Sequence, residues 1–74
     1  MRETPRPGWL YKHYKGTVYE IICIAHNCDD INKRLVIYKN INDQKIWSRE
    51  IDNFMDRIEC SENNDWRFDL VERN

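Results

Sequence analysis

The side chains best suited to chemistry are clustered near the start of the chain, where aromatic, imidazole and ammonium groups precede a glycine. The segment reads Tyr11-Lys12-His13-Tyr14-Lys15-Gly16. An imidazole beside cationic and aromatic side chains can donate a hydrogen bond to an anion or stack on a nucleobase. The alternative is a histidine held in a hydrogen-bond network beneath the turn. The pattern alone leaves both interpretations open.

A second candidate pair lies near the middle of the chain. Trp47 and Arg49 are two residues apart, so on a strand they stand side by side on one face. A planar ring and a planar guanidinium can together clamp a base or a phosphate, and Tyr38 can join them from an adjacent strand. The alternative places Trp47 in the core and pairs Arg49 with an acid such as Glu50 or Asp52.

Catalytic and metal-binding arrangements are poorly represented. His26 and Cys28 form an H-x-C pair, and His13 and Cys60 lie far away in the chain. This spacing is not that of a structural zinc module. Cys28 with His26 lacks an orienting third group and an oxyanion turn, which nucleophilic catalysis needs. We therefore predict a protein that is not an enzyme and that uses no metal and no cofactor.

The composition predicts one small domain with a locally uneven charge. The chain has 74 residues, a net charge of -1 and 41% hydrophobic residues, which is near the lower size limit for a self-sufficient core. A near-neutral chain argues against a general nucleic-acid coat. Residues 1–16 are mainly basic and residues 50–74 mainly acidic. Either the two ends attract each other, or the dipolar surface orients an anionic ligand toward the basic end.

Cysteine usage and hydropathy indicate the compartment. Three cysteines without a CxxC pair argue against a secreted disulfide scaffold, and Cys23 lies in an apolar run, which favours a place in the core. The first residues lack the apolar centre of a signal peptide, and no run reaches the roughly 20 apolar residues of a membrane span. We predict a cytoplasmic protein without membrane contact.

Short period-two patterns predict a mainly β fold. The apolar run at 21–25 suits a central strand; a buried helix is the alternative, and the β-branched content decides against it. Ile51, Phe54 and Met55 have helical spacing, which predicts a short helical turn near 49–55. We expect a small SH3-like barrel of five or six antiparallel strands, as one domain over 8–72 after a flexible lead-in over 1–7. The strands are predicted at 8–14, 17–26, 35–39, 45–48, 57–60 and 66–71.

The order and spacing of aromatic, basic, apolar and glycine residues along the chain resemble those of a known family. This family comprises the small bacterial and phage proteins of domain-of-unknown-function family 1653. The similarity extends from Gly8 to Val71. It differs at Glu50, where the family usually has proline, and at His26, which is displaced by one residue in the family's A-x-H turn. The resemblance implies a small, mostly β, single-domain fold and leaves the function open. The matching residues are Tyr11, His13, Tyr14, Lys15, Gly16, Tyr19, Ala25, Leu35, Val36, Tyr38, Trp47, Arg49, Phe54, Arg67 and Phe68.

Our leading hypothesis is a non-catalytic binding module for an anionic, planar ligand, either a nucleotide or single-stranded nucleic acid. The alternative is a protein-interaction adaptor that docks a partner along a groove or an edge strand, which in a phage-encoded member could block a host factor. The protein could be a monomer, or a homodimer paired through an edge strand. The predicted ligand-binding residues are Tyr11, His13, Lys15, Tyr38, Trp47 and Arg49.

Overall fold

The computed structural model describes residues 2–58 and 65–74, which form one antiparallel sheet and one short helix. The strands are arranged in the order β4-β3-β2-β1-β5. The predicted mainly β fold with five strands and one helical turn is therefore confirmed, but the sheet is not closed into a barrel. The elements are β1 (Leu10–His13), β2 (Val18–His26), β3 (Arg34–Asn40), β4 (Ile46–Glu50), α1 (Ile51–Phe54) and β5 (Phe68–Glu72).

Asparagine and glycine make the tight connections between consecutive strands. Gly16 has φ of 107°, a conformation that a side chain would strain, and its N–H donates to the carbonyl of His13 at 2.7 Å. The Asn27 side-chain oxygen accepts a hydrogen bond from the backbone N–H of Asp29. The Asn40 side-chain oxygen likewise accepts one from the backbone N–H of Asn42. These side chains replace backbone partners within the turn, which is why Asn and Asp favour such positions.

The core covers one face of the sheet and is mostly aromatic. Phe54 and Phe68 stack with ring centres 4.0 Å apart, and Tyr11 meets Phe54 edge to face at 5.2 Å. Such ring pairs add to the stabilisation from buried area alone. The helix α1 lies over this face and buries two of its four residues. The buried apolar residues are Trp9, Tyr11, Ile21, Val36, Tyr38, Ile51, Phe54 and Phe68.

A β-bulge interrupts the alternation of β2. Ile21 pairs with Tyr38 of β3, but the next pair is Cys23 with Ile37, so Ile22 is an extra residue. An extra residue shifts the side chains that follow it to the other face. Cys23 is consequently exposed, and the prediction that it belongs to the core is wrong.

The segment before β1 packs against the sheet. Pro5 is buried, and the Arg2 guanidinium donates to the carbonyls of Met55 and Phe68 at 3.0 and 2.6 Å. The guanidinium carbons of Arg2 and Arg57 both lie 4.1 Å from the centre of the Trp66 ring, within cation–π range. Burial lowers the pKa of Arg2. The flexibility of residues 1–7 stays a prediction.

The two ends of the described chain lie beside each other. Arg73 forms an ion pair with Glu3 at 2.8 Å, and the Asn74 side chain donates to the Gly8 carbonyl at 2.6 Å. This ion pair joins the one acid of the basic end to an arginine of the acidic end, so both interpretations of the charge pattern stay open. Both partners of the ion pair are more than half exposed, so its contribution to stability is small.

Two sequence-based predictions concern residues that lie partly or wholly outside the described part of the chain. Arg57 forms a single bridge with Trp66, and the rest of the strand predicted at 57–60 lies outside the described residues, as does Cys60. Among residues 2–58 and 65–74, no helix is both long enough and apolar enough to cross a membrane.

Candidate functional site

The register of the strands brings the predicted site residues onto one face of the sheet. Trp47 pairs with Tyr38 across β3 and β4, as the sequence predicted for a cross-strand neighbour. Arg49 follows two residues after Trp47 and therefore shares its face. His13 pairs with Phe68, a core residue. His13 therefore lies on the same face as the core, at the end of the sheet away from β4.

Arg49 is held over the aromatic core by neutral partners. Its Nε donates to the Tyr38 hydroxyl oxygen at 3.3 Å, and one terminal nitrogen donates to the side-chain oxygen of Asn53. Its guanidinium carbon lies 5.7 Å from the centre of the Phe68 ring. No ion pair within the described residues involves Arg49, and Glu50 contacts Lys33 instead. The alternative of an acid paired with Arg49 is therefore not what the structure shows, and the positive charge stays available to an anion.

Trp47 is half exposed, with 50% of its surface accessible. It lies on β4, the last strand at one side of the sheet. The alternative that placed this ring in the core is therefore wrong. An exposed indole at the border of a cationic, aromatic face offers a flat surface on which another ring can stack.

His13 lies between aromatic rings and three cations. Its ring centre is 4.4 Å from that of Tyr14 and 4.9 Å from that of Phe68. Its Nδ1 accepts a hydrogen bond from the backbone N–H of Lys15 at 3.2 Å, so this nitrogen carries no proton. Burial lowers the pKa of His13, and the charges of Arg49, Lys15 and Arg67 lower it further. Burial and the three cations act in the same direction, and both favour the neutral form of this imidazole.

The two predicted tyrosines lie beneath this face rather than on it. Tyr11 is 1% exposed and Tyr38 is 5% exposed. Burial raises the pKa of Tyr11, which favours its neutral form. Tyr38 reaches the face through its hydroxyl oxygen, which orients Arg49. Lys15 is exposed in the β1–β2 turn, with its ammonium 5.8 Å from the Tyr14 ring centre.

Three further residues contribute to the site but were not predicted as site residues. Phe68 and Phe54 form the stacked pair beneath Arg49, and Asn53 holds the guanidinium. Both phenylalanines were among the residues that carried the family resemblance, which was a signal for them. Nothing in the sequence marked Asn53, because its role depends on the angle at which α1 follows β4.

The candidate site is an open surface. A cleft of about 220 Å³ lies beside His13, lined also by Lys12, Tyr14, Asp65, Trp66 and Asp69. Lys12 pairs with Asp69 across β1 and β5, so this cleft mixes cations with carboxylates. The cleft is therefore a poorer match for an anion than the surface that carries Arg49. Within the described residues no three side chains are grouped as metal ligands.

The lowered pKa of His13 gives a testable pH dependence. The folded state binds the His13 proton more weakly than the unfolded state, whose pKa is near 6.5. As the pH falls from 6.5 toward the folded pKa, the unfolded state binds more protons and the folded state loses stability. We expect the thermal midpoint to fall less over this range in His13→Asn, which keeps an acceptor near the Lys15 N–H. Equal losses in both proteins would contradict this role of His13.

The family resemblance is confirmed by comparison with protein families. The family model described as "Protein of unknown function (DUF1653)" matches residues 9–70. This range includes all five strands except the last two residues of β5, and it contains every predicted site residue. No curated protein and no solved structure matches the chain.

Proposed function

Since the chain belongs to the DUF1653 family of proteins of unknown function, we propose a function from its own residues. The protein is a non-catalytic binding module whose ligand is anionic and planar: a nucleotide or a segment of single-stranded nucleic acid. The ligand lies on the surface made by His13, Lys15, Trp47 and Arg49. Tyr11 and Tyr38 support this surface from below, because both rings are buried.

The observation that carries the proposal is that neutral partners orient Arg49. This side chain is only partly buried, its two hydrogen-bond partners are neutral, and its guanidinium carbon lies 5.7 Å from the centre of the Phe68 ring. A guanidinium that is held in one orientation, with no carboxylate bound, is preorganised to donate two hydrogen bonds to a phosphate or carboxylate. Tyr38 and Asn53 use two of the five N–H donors of the guanidinium, and the other three are left for a ligand.

Recognition of a ring and recognition of an anion use different parts of the surface. Trp47 stands beside Arg49 and is half exposed, so a base can stack on it while its phosphate meets the guanidinium. Lys15 is exposed on the β1 side and adds a positive charge, and the neutral imidazole of His13 can donate a hydrogen bond. The net charge of -1 does not oppose this arrangement, because screening makes the local charges decisive.

The proposal is tested by equilibrium binding with defined probes. The probes are AMP, a cyclic dinucleotide and an oligothymidine strand, each titrated at low and high salt. We expect binding that weakens with salt and that weakens by about tenfold or more in Arg49→Ala, equivalent to about 1.4 kcal/mol. Trp47→Ala should lose a similar amount if a base stacks on the ring.

The matched control is Lys12→Ala, which removes an exposed cation on β1 that pairs with Asp69 and points to the other face of the sheet from His13 and Phe68. Circular dichroism of each variant establishes that it is folded. Equal affinity of wild type and Arg49→Ala for a bound probe would refute the assignment of the site. Binding by none of the probes would refute the ligand class.

The exposed edge of the sheet favours a second candidate function, that of a protein-interaction adaptor. Ile46 and Trp47 are 62% and 50% exposed on β4, whose outer side has no strand partner among the described residues. An extended peptide can add to such an edge through main-chain hydrogen bonds. An adaptor of this kind would bind one protein stoichiometrically and would tolerate loss of Arg49, which distinguishes it from the ligand-binding module.

A further inference from the structure

We propose that two copies of this chain pair through the outer edges of their β4 strands. The pairing is antiparallel, about a twofold axis that passes beside Ser48 and runs perpendicular to the sheet. It joins the two five-stranded sheets into one continuous sheet of ten strands. The inference is independent of the proposed ligand, since it depends on β4 alone.

The direction of the free backbone groups on β4 follows from its pairing with β3. The N–H of Asn40 donates to the carbonyl of Lys45 at 2.9 Å, so Lys45 faces β3. Residues of an antiparallel strand alternate between the two sides. Trp47 and Arg49 therefore also face β3 with their backbone groups, and those of Ile46, Ser48 and Glu50 point away from the sheet. These three residues offer a row of donors and acceptors to a second strand.

A twofold axis perpendicular to the sheet restricts the register. Paired residues must point to the same face, so their numbers add up to an even sum. The sum of 96 places Ser48 opposite Ser48 and Ile46 opposite Glu50. It uses all five residues of β4 and all three outward-facing residues. A sum of 98 would place the two Arg49 side chains directly opposite each other, and like charges in that position are destabilising.

The register in which the numbers of paired residues add up to 96 also places partners opposite the exposed side chains. Trp47 of each copy lies opposite Arg49 of the other, a pair suited to cation–π contact. The two indoles become diagonal neighbours, so the half-exposed Trp47 rings gain cover. The aromatic, cationic surface of one copy then continues into that of the other, and each copy supplies a tryptophan to the arginine of its partner.

The opposite edge of the sheet is less suited to self-pairing. β5 spans Phe68–Glu72, and pairing about its centre would place Asp69 opposite Val71 and Glu72 opposite Phe68, so each acid would face an apolar residue. Charged side chains on an edge are a common way in which proteins prevent edge pairing. The two charged residues of β4, Arg49 and Glu50, have opposite signs, and the strand also shows two exposed apolar residues, Ile46 and Trp47. Its contact is short, so we expect a dimer that dissociates on dilution rather than an obligate one.

Sedimentation equilibrium over a range of concentrations tests the dimer, and charge variants test the register. In Ile46→Glu, a carboxylate lies opposite Glu50 of the partner at two symmetric positions. We expect the dimer dissociation constant to rise about tenfold or more. The double variant Ile46→Glu/Glu50→Lys turns both contacts into ion pairs and should restore the dimer. Val71→Glu is the matched control, because Val71 is similarly exposed but lies on β5.

A cross-linking experiment locates the twofold axis. Cys23, Cys28 and Cys60 are first replaced by serine, and Ser48→Cys is then treated with a short bismaleimide. Two copies of residue 48 face each other at about 5.5 Å between Cα atoms in this register, so the cross-linked dimer should form at low reagent concentration. Val71→Cys in the same background should still pair through β4 but should not become cross-linked.

The outcomes separate the possibilities. A wild-type protein that sediments as a monomer at all concentrations overturns the proposal. So does a dimer that Ile46→Glu leaves intact, because its contact must then lie elsewhere. A dimer lost in Ile46→Glu, restored in the double variant and unaffected by Val71→Glu supports the β4 pairing. Ligand affinity plays no part in these measurements, so the dimer and the binding function succeed or fail separately.

Discussion

Replacing Phe68 with alanine should lower the free energy of unfolding by about 3–5 kcal/mol, the usual cost of removing a buried phenylalanine. Phe68 is 1% exposed and contacts more of the aromatic cluster than any one neighbour does. It stacks on Phe54 at 4.0 Å and meets His13, Tyr38 and Tyr19 edge to face at 4.9, 5.5 and 5.8 Å. Alanine would leave a cavity bordered by rings that cannot easily close it.

A loss of this size is comparable with the whole stability of a domain of 74 residues. Urea denaturation followed by circular dichroism gives the difference. Val71→Ala on the same strand is the control, because Val71 is 56% exposed and should change the unfolding free energy by less than about 0.5 kcal/mol. A loss below about 1 kcal/mol in Phe68→Ala would show that Phe68 does not occupy the centre of the core.

Phe54→Ala should cost a similar amount, about 3–5 kcal/mol, and should also release α1 from the sheet. The helix has four residues and no side-chain cap, so its own hydrogen bonds cannot sustain it. Its position depends on the burial of Ile51 and Phe54. Urea denaturation measures the global loss, and hydrogen exchange of the Met55 N–H, which donates to Ile51, measures the release of the helix.

The control for this variant is Asn53→Ala, on the same helix but exposed. It removes the hydrogen bond to Arg49 and should cost about 1 kcal/mol. If Phe54→Ala were no more destabilising than Asn53→Ala, packing of the helix would not be what holds it. The comparison also matters for the proposed site, because release of α1 would free the Arg49 guanidinium.

Much of the architecture could be predicted from local patterns. Alternation located all five strands to within a few residues, and the spacing of Ile51 and Phe54 located the helix. The same alternation placed Trp47, Arg49 and Tyr38 on a common face, because strand pairing between neighbours in sequence leaves few registers. Local periodicity is sufficient where each strand pairs with the next one along the chain, as it does from β1 to β4.

The errors arose where the outcome depends on contacts distant in sequence. Cys23 was misplaced because a bulge at Ile22 cannot be read from an apolar run that suits both faces. The sheet stays open because closure depends on how edge strands meet, which no local pattern reveals. For Trp47 the sequence left both a binding position and a core position open, and the ring is exposed because β4 lies at the end of the strand order. Tyr11 proved deeply buried because α1 covers it through Phe54, which lies 43 positions later in the chain.

The three tryptophans occupy three different environments, and this gives the protein a built-in optical reporter. Trp9 is 6% exposed, and Trp66 lies against the guanidinium groups of Arg2 and Arg57. Trp47 alone among the three has half of its surface in contact with solvent. A dissolved collisional quencher will reach its indole first. A base, a peptide or a second copy that covers the β4 face will therefore reduce the quenching of Trp47 fluorescence. The measurement needs no added label.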